Sequence, residues 1–134
     1  MTGGIWIGGA GMISAIGYTV AGALQALENG QSGVADMQFL PSIHRGVFPV
    51  AEVKKTNEAL AADAGLPPTV PRTALLSLLA AREALASAGI DTASTTLRTG
   101  FISATTVGGM DKTTGFYRQY INDYSQGRLR DIVH

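Results

Sequence analysis

The stretch from Pro71 to Gly89 leaves this chain little freedom in how it folds. Proline suits the first turn of a helix and glycine the position just past its end, and the residues from Thr73 to Ala88 are rich in helix formers. Leu75, Leu76, Leu78, Leu79 and Leu85 load its flanks, while Thr73, Ser77, Ala80, Ala84 and Ser87 share one side at helical spacing. A side built of such small residues lets another element approach closely, so the spacing predicts a helix buried on more than one side. Arg82 and Glu83 interrupt the apolar surface, and charges placed there need partners.

Shorter segments surround this helix. Ile5-Trp6-Ile7 is β-prone and runs into Gly8-Gly9-Ala10-Gly11, which predicts a buried strand and a glycine turn. Thr19 is placed to cap a helix whose apolar face is Val20, Ala23, Leu24 and Leu27 and which ends at Asn29-Gly30. Pro41, Gly46 and Pro49 punctuate short extended pieces such as Val47-Phe48 and Val50-Ala51-Glu52-Val53. Thr56 to Ala64 reads as a short helix stopped by Gly65, with Pro67-Pro68 as a joint. Arg98 to Val107 reads as a second strand ending at Gly108-Gly109, and Phe116, Tyr117, Tyr120, Ile121 and Tyr124 form an aromatic stripe suited to a core or a subunit interface. Strands alternating with helices predict an α/β fold with parallel pairing in its core.

Composition narrows the partners. Lys+Arg and Asp+Glu both number 10, and charged residues are 15% of the chain, so no overall field exists to gather phosphates and no nucleic-acid partner is expected. Arg118, Arg128 and Arg130 stand near tyrosines, but Asp111, Asp123 and Asp131 offset their charge. Without cysteine, and with His44 and His134 as the two histidines, neither a disulfide nor a metal site is expected, and a reducing cytoplasm suits the chain. Ile5 to Leu27 has no charged residue, yet five glycines interrupt it and no Lys or Arg precedes it, so neither a signal peptide nor a membrane span is expected.

Several local patterns point weakly to chemistry. Gly9-Ala10-Gly11-Met12-Ile13-Ser14 is similar to a dinucleotide-binding loop but has Ser14 at the place of the third glycine. Gly30-Gln31-Ser32-Gly33 follows a helix and has Val34 at the final glycine of a hydrolase elbow, so Ser32 reads as a turn residue. His44 has no carboxylate or second histidine nearby in sequence, which suits a surface loop better than general-base work.

Four segments in order and spacing resemble the β-ketoacyl-[acyl carrier protein] synthases of the thiolase-like superfamily. Gly9-Ala10-Gly11-Met12-Ile13-Ser14-Ala15-Ile16-Gly17 resembles the family's opening glycine and serine motif. Ala26 to Val34 is similar to its helix end and following turn, and Ala80-Ala81-Arg82-Glu83-Ala84-Leu85 with Ala88-Gly89-Ile90 to its "AxxEAL..AGI" helix. Arg98-Thr99-Gly100 through Val107-Gly108-Gly109 looks like its "R-x-G" strand and glycine pair. The resemblance covers essentially all of residues 1–134.

It implies the N-terminal half of a layered αβαβα fold, ending before the catalytic cysteine, in an enzyme that works as a homodimer. It implies condensation of an acyl thioester with a malonyl unit on acyl carrier protein, with no cofactor, in fatty acid or polyketide-type synthesis. No catalytic residue carries over, because the family's cysteine and its partners lie beyond His134. Val107 alone carries over as substrate-binding, at the wall of the acyl pocket. The family's Lys and Arg before the long helix are replaced by Gly65-Leu66-Pro67-Pro68-Thr69-Val70. On this footing the isolated chain is inactive and needs its C-terminal half. The alternatives are a non-catalytic ketosynthase-like partner subunit and, from the glycine loop alone, a nucleotide-binding protein.

Overall fold

The computed structural model describes residues 4–106 and 108–126. They form four helices and a two-stranded sheet, in the order α1 (Val20–Glu28), β1 (Val34–Asp36), β2 (Pro49–Ala51), α2 (Asn57–Ala64), α3 (Arg72–Ser87) and α4 (Met110–Asn122). The protein is therefore a mixed α and β chain.

The helix boundaries are set locally. Thr19 caps α1 by accepting the Gly22 amide on its hydroxyl at 3.0 Å. At the other end Gly30 turns left-handed at φ 63°, Gly30 N–H donates to Leu27 and Gln31 N–H to Ala26, so two orphan carbonyls of the last turn are satisfied. The same paired closure ends α2 at Gly65-Leu66 and α3 at Gly89-Ile90.

Strand expectations fare differently. Ile5, Trp6 and Ile7 form no strand, and they are 102%, 88% and 94% exposed instead of buried. Residues 98–106 form no strand either, with Phe101 and Ile102 exposed. Among the described residues the one sheet is antiparallel, pairing Val34 with Ala51, Ala35 with Val50 and Asp36 with Pro49, which corrects the expectation of parallel pairing. The physical reason is that a β-branched run becomes a strand only against a neighbour able to take its backbone hydrogen bonds and cover its side chains. Neither apolar run meets such a neighbour among the described residues.

Two compact units divide the chain. The first holds the residues up to Thr56 together with Leu78–Thr99, the second Asn57–Ser77 and the residues from Gly100 onward. In the first unit Ala23 and Ala26 of α1 and Met37 are buried. Glu52, also buried, accepts the amides of Gln38, Phe39 (3.0 Å) and Leu40 (2.9 Å). Arg45 holds the other edge of that segment, donating from Nη2 to the carbonyls of Gln38 at 3.0 Å and Leu40 at 3.3 Å. In the second unit Leu60, Ala61 and Ala64 of α2 and Leu75 of α3 are buried, with Arg72 among the buried charges.

One further expectation needs correction. Within α3 only Arg72 and Leu75 are buried, and the leucines at 76, 78, 79 and 85 are half-buried, so the helix is less enclosed than its composition predicts. The aromatic stripe does form, on α4 and just past its end: Phe116 stacks on Tyr120 at 5.9 Å and Tyr120 meets Tyr124 edge-on at 5.2 Å. None of its residues is buried, so it is not core here. Among the described residues no helix is long and apolar enough to cross a membrane.

Candidate functional site

The glycine loop closes on the small side of α3. A Cβ on Gly9 would fall 2.2 Å from the Ala84 carbonyl oxygen, and one on Gly11 would fall 1.9 Å from that of Ala80. These glycines are therefore required by backbone proximity, and Ala80, Ala84 and Ser87 must be small for the same reason. Ser87 completes the contact: its Oγ accepts the Ala10 amide at 3.0 Å and lies 3.1 Å from the Ala10 carbonyl.

Glu83 is the charge that ties this arrangement together. Its Oε2 accepts the Met12 amide and its Oε1 the amide of Val20, both at 2.8 Å. Val20 is the first residue of α1, so the carboxylate satisfies an orphan amide there and faces the positive end of the helix dipole. One side chain of α3 thus fixes both the loop and the entry to α1. Arg82, its neighbour in sequence, is exposed.

The remaining turns of this unit pack on the same loop. Ser14 N–H donates to the Gly17 carbonyl at 2.8 Å, and Gly17 lies so close to α1 that a Cβ would fall 2.5 Å from the Ala23 nitrogen. Gly33 abuts Ala15, whose Cβ would be 2.7 Å from an added Cβ. Ser32 accepts the Val34 amide on its hydroxyl at 3.1 Å, in keeping with a turn residue. Residues 9–17, 30–34 and 80–87, separated in sequence, therefore meet in one place.

Removing the Glu83 carboxylate leaves the Met12 and Val20 amides without their acceptor. Glu83→Ala is expected to lower stability by about 2–3 kcal/mol, and Glu83→Gln, which keeps one carbonyl oxygen, by about half of that. Urea unfolding of both variants beside the wild type checks the ordering; equal midpoints for all three would count against it.

Two amides of the loop, at Ala10 and Met12, already have acceptors in Ser87 and Glu83, where a phosphate cradle would direct such amides at its ligand. His44 sits in an exposed loop with its ring 5.6 Å from that of Phe48. Among the described residues no group of three or more His, Cys, Asp or Glu is arranged to hold a metal.

In the second unit, Gly108 and Gly109 lead into α4. Val107 and His134 lie outside the described residues, as do Arg128, Arg130 and Asp131. Next to Val107, Gly108 packs against Thr105 so closely that a Cβ would fall 2.5 Å from the threonine methyl. Gly109 is buried, turns left-handed at φ 77° and starts α4. Further back, the Ser103 hydroxyl lies 3.3 Å from that of Ser77 on α3.

A cluster that spacing does not reveal joins the starts of three helices. Asp111 Oδ2 on α4 accepts the Arg72 amide of α3 at 3.1 Å and the Asn57 side-chain amide of α2 at 3.5 Å. Buried Arg72 in turn donates from Nη1 to Asn57 Oδ1 at 2.9 Å. The one available signal was Arg72 itself, a cation in the first turn of a helix, where the dipole disfavours it unless an anion stands near. Asp91 and Asp123 play no part in these clusters. The Ala93 amide and then the Ser94 hydroxyl hold Asp91 below the ordinary carboxylate range. For Asp123 the hydroxyl and then the amide of Ser125 do the same.

Compared with known proteins, the chain matches no family model, no curated protein and no solved structure.

Proposed function

We propose that residues 1–134 are the N-terminal part of a thiolase-like β-ketoacyl synthase, and that the complete protein condenses an acyl thioester with a malonyl unit on acyl carrier protein. The observation that supports it most is the closure of three of the four family-like segments on one another. Gly9 and Gly11 rest on Ala84 and Ala80, Glu83 holds Met12 and Val20, and Gly33 rests on Ala15. The residue types that make up the resemblance are those this packing requires. The uncovered apolar runs at Ile5-Trp6-Ile7 and Phe101-Ile102 suit strands of a larger layered sheet whose partners belong to the C-terminal half or to a second subunit.

In this proposal the chain supplies scaffold and part of the acyl pocket. Formation of a covalent acyl intermediate needs an activated nucleophile, and the chain has no cysteine. Purified residues 1–134 should therefore show no β-ketoacyl product and no release of carbon dioxide from malonyl-carrier protein. The complete protein should show both, with acyl transfer to a cysteine encoded beyond His134. Condensation by the isolated chain, or a complete protein that neither takes up acyl groups nor condenses, would overturn the proposal.

One observation favours a second reading. The segment Gly65 to Thr69 is exposed and contains no Lys or Arg of its own with which to dock an acidic carrier. A non-catalytic, ketosynthase-like partner subunit would need none. It would pair with a catalytic subunit and lack the downstream cysteine, which the reading frame beyond His134 decides.

A further inference from the structure

We propose that the exposed face of α4 pairs antiparallel with the same face of a second copy of this chain. The inference stands on α4 alone and is independent of the ketosynthase reading above. Met110, Thr113, Tyr117, Tyr120 and Tyr124 follow one another at alternating steps of three and four residues, the repeat by which a helix seats a seam against another helix. Tyr124 lies just past the end of α4, and its edge-on contact with Tyr120 keeps it with the others. Phe116 and Ile121 flank the seam, and none of these seven residues is charged.

Within α4 only Lys112 and Phe116 are half-buried, and the other residues are exposed. The bonds that α4 makes to its own unit leave from outside the seam, since Lys112 Nζ donates to the Pro68 carbonyl at 3.1 Å and Asp111 accepts the Arg72 amide. Met110, Tyr117, Ile121 and Tyr124 are each more than half exposed, and Tyr120 is 40% exposed. A buried aromatic side chain removes about 150–250 Å² from water. Covering the exposed parts of this face on two copies therefore buries on the order of 1,200 Å², the lower bound of a specific interface.

Charge selects both the occupant and the direction. One end of α4 carries the positive pole of the helix and the Lys112 ammonium, and its cap, Gly109, gives the first amides no side-chain acceptor. Asp111 at that end is already turned to Arg72 and Asn57. The other end carries the negative pole and Asp123. Two copies laid antiparallel set each Asp123 near the other's Lys112 and uncapped amides, whereas a parallel pair sets like ends together. An uncharged seam between oppositely charged ends is complementary to itself, as a two-fold interface requires.

Residues 1–134 contain no cysteine, so single introduced cysteines report the pairing directly. In the antiparallel register position 117 lies near the two-fold axis and position 110 opposes position 124 of the other copy. Tyr117→Cys should cross-link to itself under mild oxidation. Met110→Cys should cross-link to Tyr124→Cys when the two proteins are mixed, and not to itself. Sedimentation equilibrium should show a dimer at roughly 100 µM. Tyr117→Asp combined with Ile121→Asp should weaken it roughly tenfold or more at unchanged circular dichroism. Tyr124→Ser, outside the helix, should weaken it by less and serves if the double variant fails to fold. A wild-type chain that stays monomeric at that concentration would overturn the inference, as would a dimer that both variants leave intact or self-linking of Met110→Cys. The ketosynthase reading survives any of these results, because condensation by the complete protein decides it.

Discussion

Substituting alanine for Gly11 should strongly destabilise the first unit. The added methyl would fall 1.9 Å from the Ala80 carbonyl oxygen and 2.8 Å from the Ala84 nitrogen, both backbone atoms of a continuous helix that cannot step aside. Relief requires moving the loop off α3, which also breaks the hold of Glu83 on the Met12 amide. The expected cost is roughly 3 kcal/mol or more, at the upper end of what overpacking does. Gly30→Ala provides the contrast. Its φ of 63° strains any side chain, but nothing lies within 4 Å, so the expected cost is only about 1 kcal/mol. Denaturant midpoints measured on both variants should differ clearly, and equal losses would show that the loop does not rest on α3 as described.

Enlarging Val107 should alter chain-length preference in the complete enzyme by roughly two orders of magnitude, since each methylene excluded from the pocket forfeits about 0.8 kcal/mol and several are lost together. The expectation follows from the proposed function. The family resemblance puts the acyl-pocket wall at this position, next to Gly108-Gly109. Val107→Phe should fill space used by long tails and leave short primers able to react. If the residue instead packs a core, phenylalanine should lower stability by roughly 1–3 kcal/mol and slow all acyl lengths alike. Kinetic constants across an acyl series, read beside the melting temperature, separate these outcomes.

Features encoded within a few residues were legible before the structure. Thr19 at the start of α1 and the glycines at 30, 65 and 89 past the ends of three helices each act through hydrogen bonds to near neighbours. The small side of α3 was legible too, because helical periodicity groups Ala80, Ala84 and Ser87 whatever they face. What faces them was not. The bonds from Met12 and Val20 to Glu83 span 71 and 63 residues, and no local pattern encodes such a distance.

Strands were misread for a related reason. Ile5-Trp6-Ile7 and Phe101-Ile102 have the composition of strands, but pairing depends on a neighbour that propensity does not describe. Glu52 shows the converse case. It belongs to the short extended piece from Val50 to Val53, and it is buried because three consecutive amides elsewhere in the chain point at it. The cluster of Asn57, Arg72 and Asp111 was hidden in the same way, with its members drawn from three helices.

The arrangement around Glu52 also governs how that part of the chain opens. The protons on Gln38, Phe39 and Leu40 share a single acceptor group, so one rotation of one side chain releases all three to solvent together. Their exchange with deuterated water should follow a common protection factor in place of three independent ones. Within 38–40, the unit of opening is then set by the reach of a carboxylate and not by any element of secondary structure.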